Sequence, residues 1–431
     1  MPDLDELTRR LAALPPERRE QVESELRRRG VALPEGLRAP SGFAREPTPG
    51  DAGHHAVRRA PATFSVFFFS AQSGDDTGYR LVMEAAQLAD RRGFEAVWTP
   101  ERHFHSFGGP YPAPVLLAAA LAPQTERIGL RAGSLVLPLH DPIRVAEEWA
   151  VVDNLSGGRA GIAMASGFHP TDFVFAPEAF ARRREVLKEH FDRVRRLWRG
   201  EPVRVRTPVG ESEITTYPRP VQPELPIWLT ASGENDSSFE AAGELGVNVL
   251  TALLNQNVEQ LERRIARYRA VLAEHGHDPA TRKVTVMIHT FVGADTAEVR
   301  EIVREPFREY LRTHLDLARS LAAGLHAAED ISDYAEHEDD LLEFGFHRYV
   351  DHASLMGDAR HCDRMIDSLE AAGVDEIAAL IDFGVAPDLV LGSLERLAEL
   401  RERRLRDAYG TVVPSETARG GPDVGAHDMG V

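Results

Sequence analysis

The chain has one cysteine, Cys362, in 431 residues. That excludes an intrachain disulfide and any zinc site built on several thiolates. Long apolar runs are missing as well: none approaches the roughly 20 residues that span a bilayer as a helix. Basic residues are in deficit, with 50 Lys and Arg against 68 Asp and Glu, a formal charge of −18. A nucleic-acid binder needs a basic footprint, and the chain lacks one. The acidic excess is spread along the sequence and reads as a solvated surface. The opening "MPDLDELTRR" has no apolar stretch of the secretory kind. The expectation is a cytoplasmic protein with neither membrane nor nucleic acid as a partner, and no metal site.

What is present is an alternation. Residues 1–33 read as a helical hairpin: Leu4, Leu7, Leu11 and Leu14 recur at helical spacing, Pro15-Pro16 interrupts, and Gly30 caps a second helix. A Pro/Gly/Ala-rich linker covers 34–60, and 406–431 reads as a disordered tail. Between them, 61–405 alternates continuously apolar strands with helices. The strands fall at 64–70, 95–99, about 128–138, 159–167, 226–233, 246–253, 283–293 and 375–384. Strands apolar on both faces belong to a parallel sheet covered by helices. Eight such units predict an α/β fold, a (β/α)8 TIM barrel with insertions, rather than an open doubly wound sheet.

In that architecture the loops after the strands share one rim, where chemistry takes place. "TPERHFHSFGGPYP" follows the second strand and places Arg102, His103 and His105 there, beside Glu101. His169 follows the fourth strand and His289 lies in the seventh. Small residues collect at the other strand ends: Ser70-Ala71 after Phe69, Gly133-Ser134, Ala165-Ser166, and Ser232-Gly233 before Glu234. Backbone without bulky side chains lets a flat ring or a phosphate approach closely. The last of these turns runs into a helix, whose N-terminal amides suit an anion. His140-Asp141 reads as a structural turn, and His54-His55 lies in the linker.

The stretches "TPERHFHSFGG" (99–109), "AGSLVLPLHDPIRVAEEWAVVDNLSGGRAGIAMASGF" (132–168) and "PIWLTASGENDSSFEAAGELG" (226–246) resemble the bacterial luciferase-like flavin-dependent monooxygenases, with most likeness to the natural-product biosynthesis subgroup. The resemblance implies an enzyme that uses reduced FMN, supplied by a separate flavin reductase, and molecular oxygen to oxygenate a small or carrier-protein-tethered intermediate. A homodimer is the expected assembly. The luciferases carry Glu-His-His-Phe after the second strand, where this chain has Glu101-Arg102-His103-Phe104. His103 keeps the second histidine position, His105 stands in for the missing imidazole, and Arg102 suits an anionic group. His169 and His289 complete the catalytic candidates; histidine moves protons near neutrality. The flavin candidates are Phe69, Ser70, Ala71, Ala165, Ser166 and Gly133-Ser134, the position of a family cis peptide. Ser232, with Gly233 and Glu234, matches a family phosphate contact. A deazaflavin-dependent dehydrogenase and a non-catalytic flavin-binding barrel are the alternatives.

Residues 300–355 are too long for an ordinary connection. Helical, acidic and punctuated by Tyr310, His314, His347, Tyr349 and His352, they are expected to form a lid or substrate pocket over the rim, or else a packed helical insertion.

Overall fold

The structure, a computed structural model, describes residues 60–69, 79–105, 109–231, 236–253, 256–324 and 338–409. The expected hairpin, nearly all of the linker and the tail from 410 lie outside the described residues. So do Ser70, Ala71, Ser232, Gly233 and Glu234.

A closed parallel barrel forms from β1 (Thr63–Phe67), β2 (Ala96–Thr99), β3 (Gly129–Val136), β4 (Ala160–Ala165), β7 (Ile227–Ala231), β8 (Asn248–Ala252), β9 (Val284–Val292) and β11 (Glu376–Leu380). Each pairs in parallel with the next, and β11 returns to β1 in the register Thr63 to Glu376 through Phe67 to Leu380. All eight expected strands are therefore in the barrel. Helices α1 (Tyr79–Arg91), α2 (Pro114–Leu121), α3 (Pro142–Ser156), α4 (Arg183–Arg199), α5 (Ser237–Leu245), α6 (Val258–Glu274), α7 (Thr296–Gly324), α8 (Glu338–His352), α9 (Ala359–Ala371) and α10 (Pro387–Tyr409) connect them.

Local chemistry sets the boundaries. The Asp141 carboxylate accepts the Ile143 amide and caps α3, Pro142 takes the first helical position, and Gly157 ends it at φ 67°. Asn257 and Gln260 form a reciprocal capping box at α6. Residues 201–224, between α4 and β7, hold an antiparallel hairpin, β5 (Val203–Thr207) and β6 (Gly210–Ile214). The short strand β10 (Ser354–Gly357) lies along the upper end of β9. Two 3-10 turns, Pro170–Phe175 and Pro177–Arg182, lead into α4. The last helix continues to Tyr409, past the expected barrel limit at 405.

Inside the barrel, Arg131 lies between the rings of Trp98 and Trp228, 4.9 and 4.4 Å from their centroids. Its Nη1 donates to both oxygens of Glu376 at 2.9 Å, and its Nη2 donates to Glu95 at 3.2 Å. A planar guanidinium suits this stacked, bidentate setting. In the long insertion, Phe307 and Tyr310 on α7 and Phe346, Tyr349 and Val350 on α8 join the same core as the strands. The described part of the insertion is a packed wall of the barrel mouth.

Candidate active site

The loop after β2 carries the densest polar cluster of the mouth. The Glu101 side chain has no solvent exposure. Its Oε1 accepts from His103 Nε2 at 2.9 Å and from His140 Nε2 at 2.7 Å, and its Oε2 accepts the Val136 amide at 2.6 Å. The Glu101 amide in turn donates to the Ser134 carbonyl at 3.2 Å. Burial pushes this carboxyl up, but the hydrogen bonds from His103, His140 and Val136 outweigh it and hold Glu101 below the usual carboxylate range. Burial likewise opposes the charge of His140, yet its bond to Glu101 and the charges of Glu101 and Glu148 raise its pKa. The two adjoining residues thus divide: Asp141 is the turn residue expected there, whereas the His140 side chain belongs to the cluster. Nothing local in the sequence marks that contact, which spans 39 positions.

Phe104 has φ 56°, a left-handed conformation that bulky residues rarely adopt. Across this turn, His103 is largely buried at 12% side-chain exposure, while Phe104 is 61% exposed. The Phe104 ring stacks on Phe175 at 5.5 Å, and Phe175 meets the His103 ring edge-on at 5.0 Å. Local strain of this kind concentrates at functional sites.

Arg102 extends over the Phe69 ring at 4.2 Å and approaches Phe168 at 5.9 Å. The ion pairs one would first seek for it are taken: Glu101 is engaged as above, and Glu95 binds Arg131 and Lys283. Burial lowers the Arg102 pKa, opposed by Tyr310 and Asp172 nearby. Asp172, in the loop after β4, has its carboxyl pushed up by burial, against the pull of His169, His103 and Arg102. His169 accepts the Thr171 amide at 3.4 Å, so it caps the turn beginning at Pro170 while standing near this group. His105 follows on the same loop as Arg102, half-buried.

The floor is made of small residues. The Gly133–Ser134 peptide is cis, and Ser134 is the extra residue of a β3 bulge, since Gly133 faces Ala163 and Leu135 faces Met164. Ser134 Oγ lies 2.5 Å from Thr230 Oγ1 on β7. A Cβ on Gly133 would come within 2.8 Å of Phe67 and 3.1 Å of Trp98, so only glycine fits. Ala165, Ser166 and Gly167 are half-buried at the end of β4; a Cβ on Gly167 would strike Val136 at 2.8 Å and Phe173 at 2.9 Å.

His289 stands apart from the cluster. It is 3% exposed and boxed by Phe307, Tyr310, Tyr349 and Phe383, at centroid distances of 4.9, 4.8, 5.9 and 5.8 Å. Tyr310 and Tyr349, expected to reach toward a substrate, are buried in that box, and His347 pairs with Glu343 at 3.1 Å. The side chain of His314 lies outside the described residues.

Known proteins share the family and the fold of this chain. The family model for luciferase-like monooxygenases matches residues 62–376. The oxygenase component of a flavin-dependent trigonelline monooxygenase from Acinetobacter baylyi is 28% identical over 326 residues, covering 74% of this chain and 88% of that protein. Among solved structures, the monooxygenase RslO1 from Streptomyces bottropensis superposes with a TM-score of 0.65 at 23% identity, over 79% of this chain and 99% of that one. The oxygenating constituent of 3,6-diketocamphane monooxygenase from Pseudomonas putida, in complex with FMN, gives 0.64 at 19% identity, over 78% and 97%.

Proposed function

Since the chain belongs to the luciferase-like monooxygenase family and is a flavin-dependent monooxygenase, we propose that it takes reduced FMN from a separate reductase and, with molecular oxygen, oxygenates a small intermediate of secondary metabolism. The observation that carries this reading is the small-residue floor, Gly133-Ser134 and Ala165-Ser166, lying beside a histidine held by a buried carboxylate. Reduced flavin, when bound, supplies the electrons that activate oxygen.

The residues divide the remaining work. Ser134, Ala165, Ser166 and Phe69 bound the space for the ring, and Ser70-Ala71 adjoin Phe69 in the chain. Ser232, Gly233 and Glu234 are assigned to the phosphate, because β7 ends at Ala231 and α5 begins at Ser237, so this turn leads into a helix N-terminus. His103, fixed through Nε2, holds or moves a proton at its other ring nitrogen. His105 and His169 are second proton carriers at the same mouth, and Arg102 carries positive charge toward it. His289, enclosed in its aromatic box, orients the insertion against β9. Phe104, Phe168 and Phe175 cover the entrance and keep water from it.

Two measurements test the reading. Anaerobic titration with reduced FMN should show binding that Ser232→Asp weakens by about tenfold or more, through like-charge repulsion. Incubation with FMN, NADH, a flavin reductase and 18O2 in an extract of the source cells should place 18O in an organic product. Binding without 18O transfer would make the barrel a flavin carrier. Preference for a deazaflavin would make it a dehydrogenase.

A further inference from the structure

The Glu101 cluster has a feature that a simple clamp does not need. Two imidazoles, from the loops after β2 and β3, donate to the same carboxylate oxygen, at 2.9 and 2.7 Å, while the other oxygen is occupied by the Val136 amide. Because an ionised carboxylate only accepts, both rings donate through Nε2–H, and each keeps Nδ1 for a second proton. Two imidazolium ions on one oxygen repel, so the cluster takes up one added proton far more readily than two. The rings also differ in access: His103 is 12% exposed and packs against Phe104 and Phe175, whereas His140 is 34% exposed.

We propose that Glu101 is the positioning residue for His103 and that His140 tunes it, the two imidazoles competing for one buried negative charge. The proposal rests on the reading of this mouth as the oxygenation site. A proton on His140 draws on the Glu101 charge and makes His103 a weaker base; loss of that proton returns the charge to His103. The raised pKa of His140, where burial is outweighed by Glu101 and Glu148, agrees with a ring that holds its proton against this competition. The other charged groups facing the cluster come from every neighbouring element. Arg102 and His105 share its loop, and His169 and Asp172 follow β4. Glu148 lies on α3. Arg183 and His190 lie on α4, where His190 Nδ1 is 3.3 Å from the Leu137 carbonyl and Arg183 Nε donates to Gly167. All of them stay in place in the variants below, so differences between those variants report the competition itself.

The test uses the full chain with 13C-labelled histidine, titrated by NMR without flavin, with the His103 resonance identified by its absence from His103→Asn. His140→Asn should move the His103 midpoint up by roughly 0.5–1 pH unit, and Glu101→Gln should move it down by roughly one unit. His140→Gln, which keeps a neutral donor to Glu101, should fall between wild type and His140→Asn. Midpoints that move together, or not at all, overturn the proposal. Should His140→Asn fail to fold, the order of Glu101→Gln below wild type and His140→Gln above it decides the same question. With reduced FMN and oxygen, the limb of the pH–rate profile set by this ring should follow the same order. Opposed midpoints without any oxygenation would leave the competition standing and overturn the reading of the mouth; oxygenation with unmoved midpoints would do the reverse.

Discussion

Replacing Glu376 by glutamine removes one negative charge from the barrel floor and changes little else in shape. The wild-type carboxylate has no solvent exposure and faces Arg131, itself 9% exposed, through two bonds of 2.9 Å. It also accepts Trp98 Nε1 at 3.2 Å. After the change, the guanidinium retains Glu95 at 3.2 Å, but that carboxylate is 31% exposed and shared with Lys283 at 2.8 Å. Breaking a buried pair on one side costs about 3–5 kcal/mol, because the remaining charge stays desolvated. With a urea slope near the upper end for single domains, about 3 kcal/mol per molar, the unfolding midpoint should fall by about 1–1.7 M. Trp98 and Trp228 flank Arg131, so tryptophan fluorescence reports the region directly. The double variant Arg131→Met with Glu376→Leu should recover most of the loss, since neither charge is then left unpaired. A single variant whose midpoint stays within about 0.3 M of wild type would show that Arg131 and Glu376 do not form a coupled pair of this strength.

Two further outcomes follow from packing. Gly133→Ala puts a methyl at 2.8 Å from Phe67 and 3.1 Å from Trp98, both buried, so it should cost about 1–3 kcal/mol in urea unfolding; a wild-type midpoint would refute the close approach. The Cys362 thiol is buried, and burial, with Asp358 and Asp363 nearby, pushes its pKa up to about 12. A disulfide reagent at neutral pH should therefore label it only after unfolding, and rapid stoichiometric labelling of the native protein would contradict that burial.

The barrel was legible in the sequence because its strands are short, mostly apolar runs such as "FSVFFFS", separated by helical segments. Their ends were less sharp: the first strand closes at Phe67 rather than at residue 70, because side-chain pattern does not mark the last ladder bond. The hairpin Val203–Ile214 alternates polar residues on a mostly exposed ribbon and gives little apolar signal. Strand β10, with only Ser354–Gly357, is too short to stand out beside the helices around it. Tyr310 and Tyr349 lie in the segment read either as a lid or as a packed insertion, a choice the sequence does not make, and their rings fill the core around His289. His140 was unreadable for a different reason: its partner Glu101 is remote in sequence, and only the pairing of β2 with β3 brings the loops that follow them together. The bulge that aims Ser134 at Thr230 was hidden likewise, since a register shift exists only between paired strands.

Two fully buried glutamates show how one barrel uses the same group in opposite ways. Glu376 and Glu101 both have side chains with no solvent exposure, and both sit on or beside strands of the same sheet, the first on β11 and the second after β2, with β1 between them. At the base of the barrel, Glu376 is bound to the guanidinium of Arg131, a planar partner held between two tryptophan rings, and the result is rigidity. At the mouth, Glu101 is bound to two histidines, which change charge near neutrality, so its charge is cancelled by degrees and between two sites. The difference lies in the partner, and each partner sits where its chemistry is usable. An arginine shared by Glu101 and the mouth would freeze the proton count there; Arg102, one residue on, instead turns away over Phe69 and leaves the carboxylate to His103 and His140.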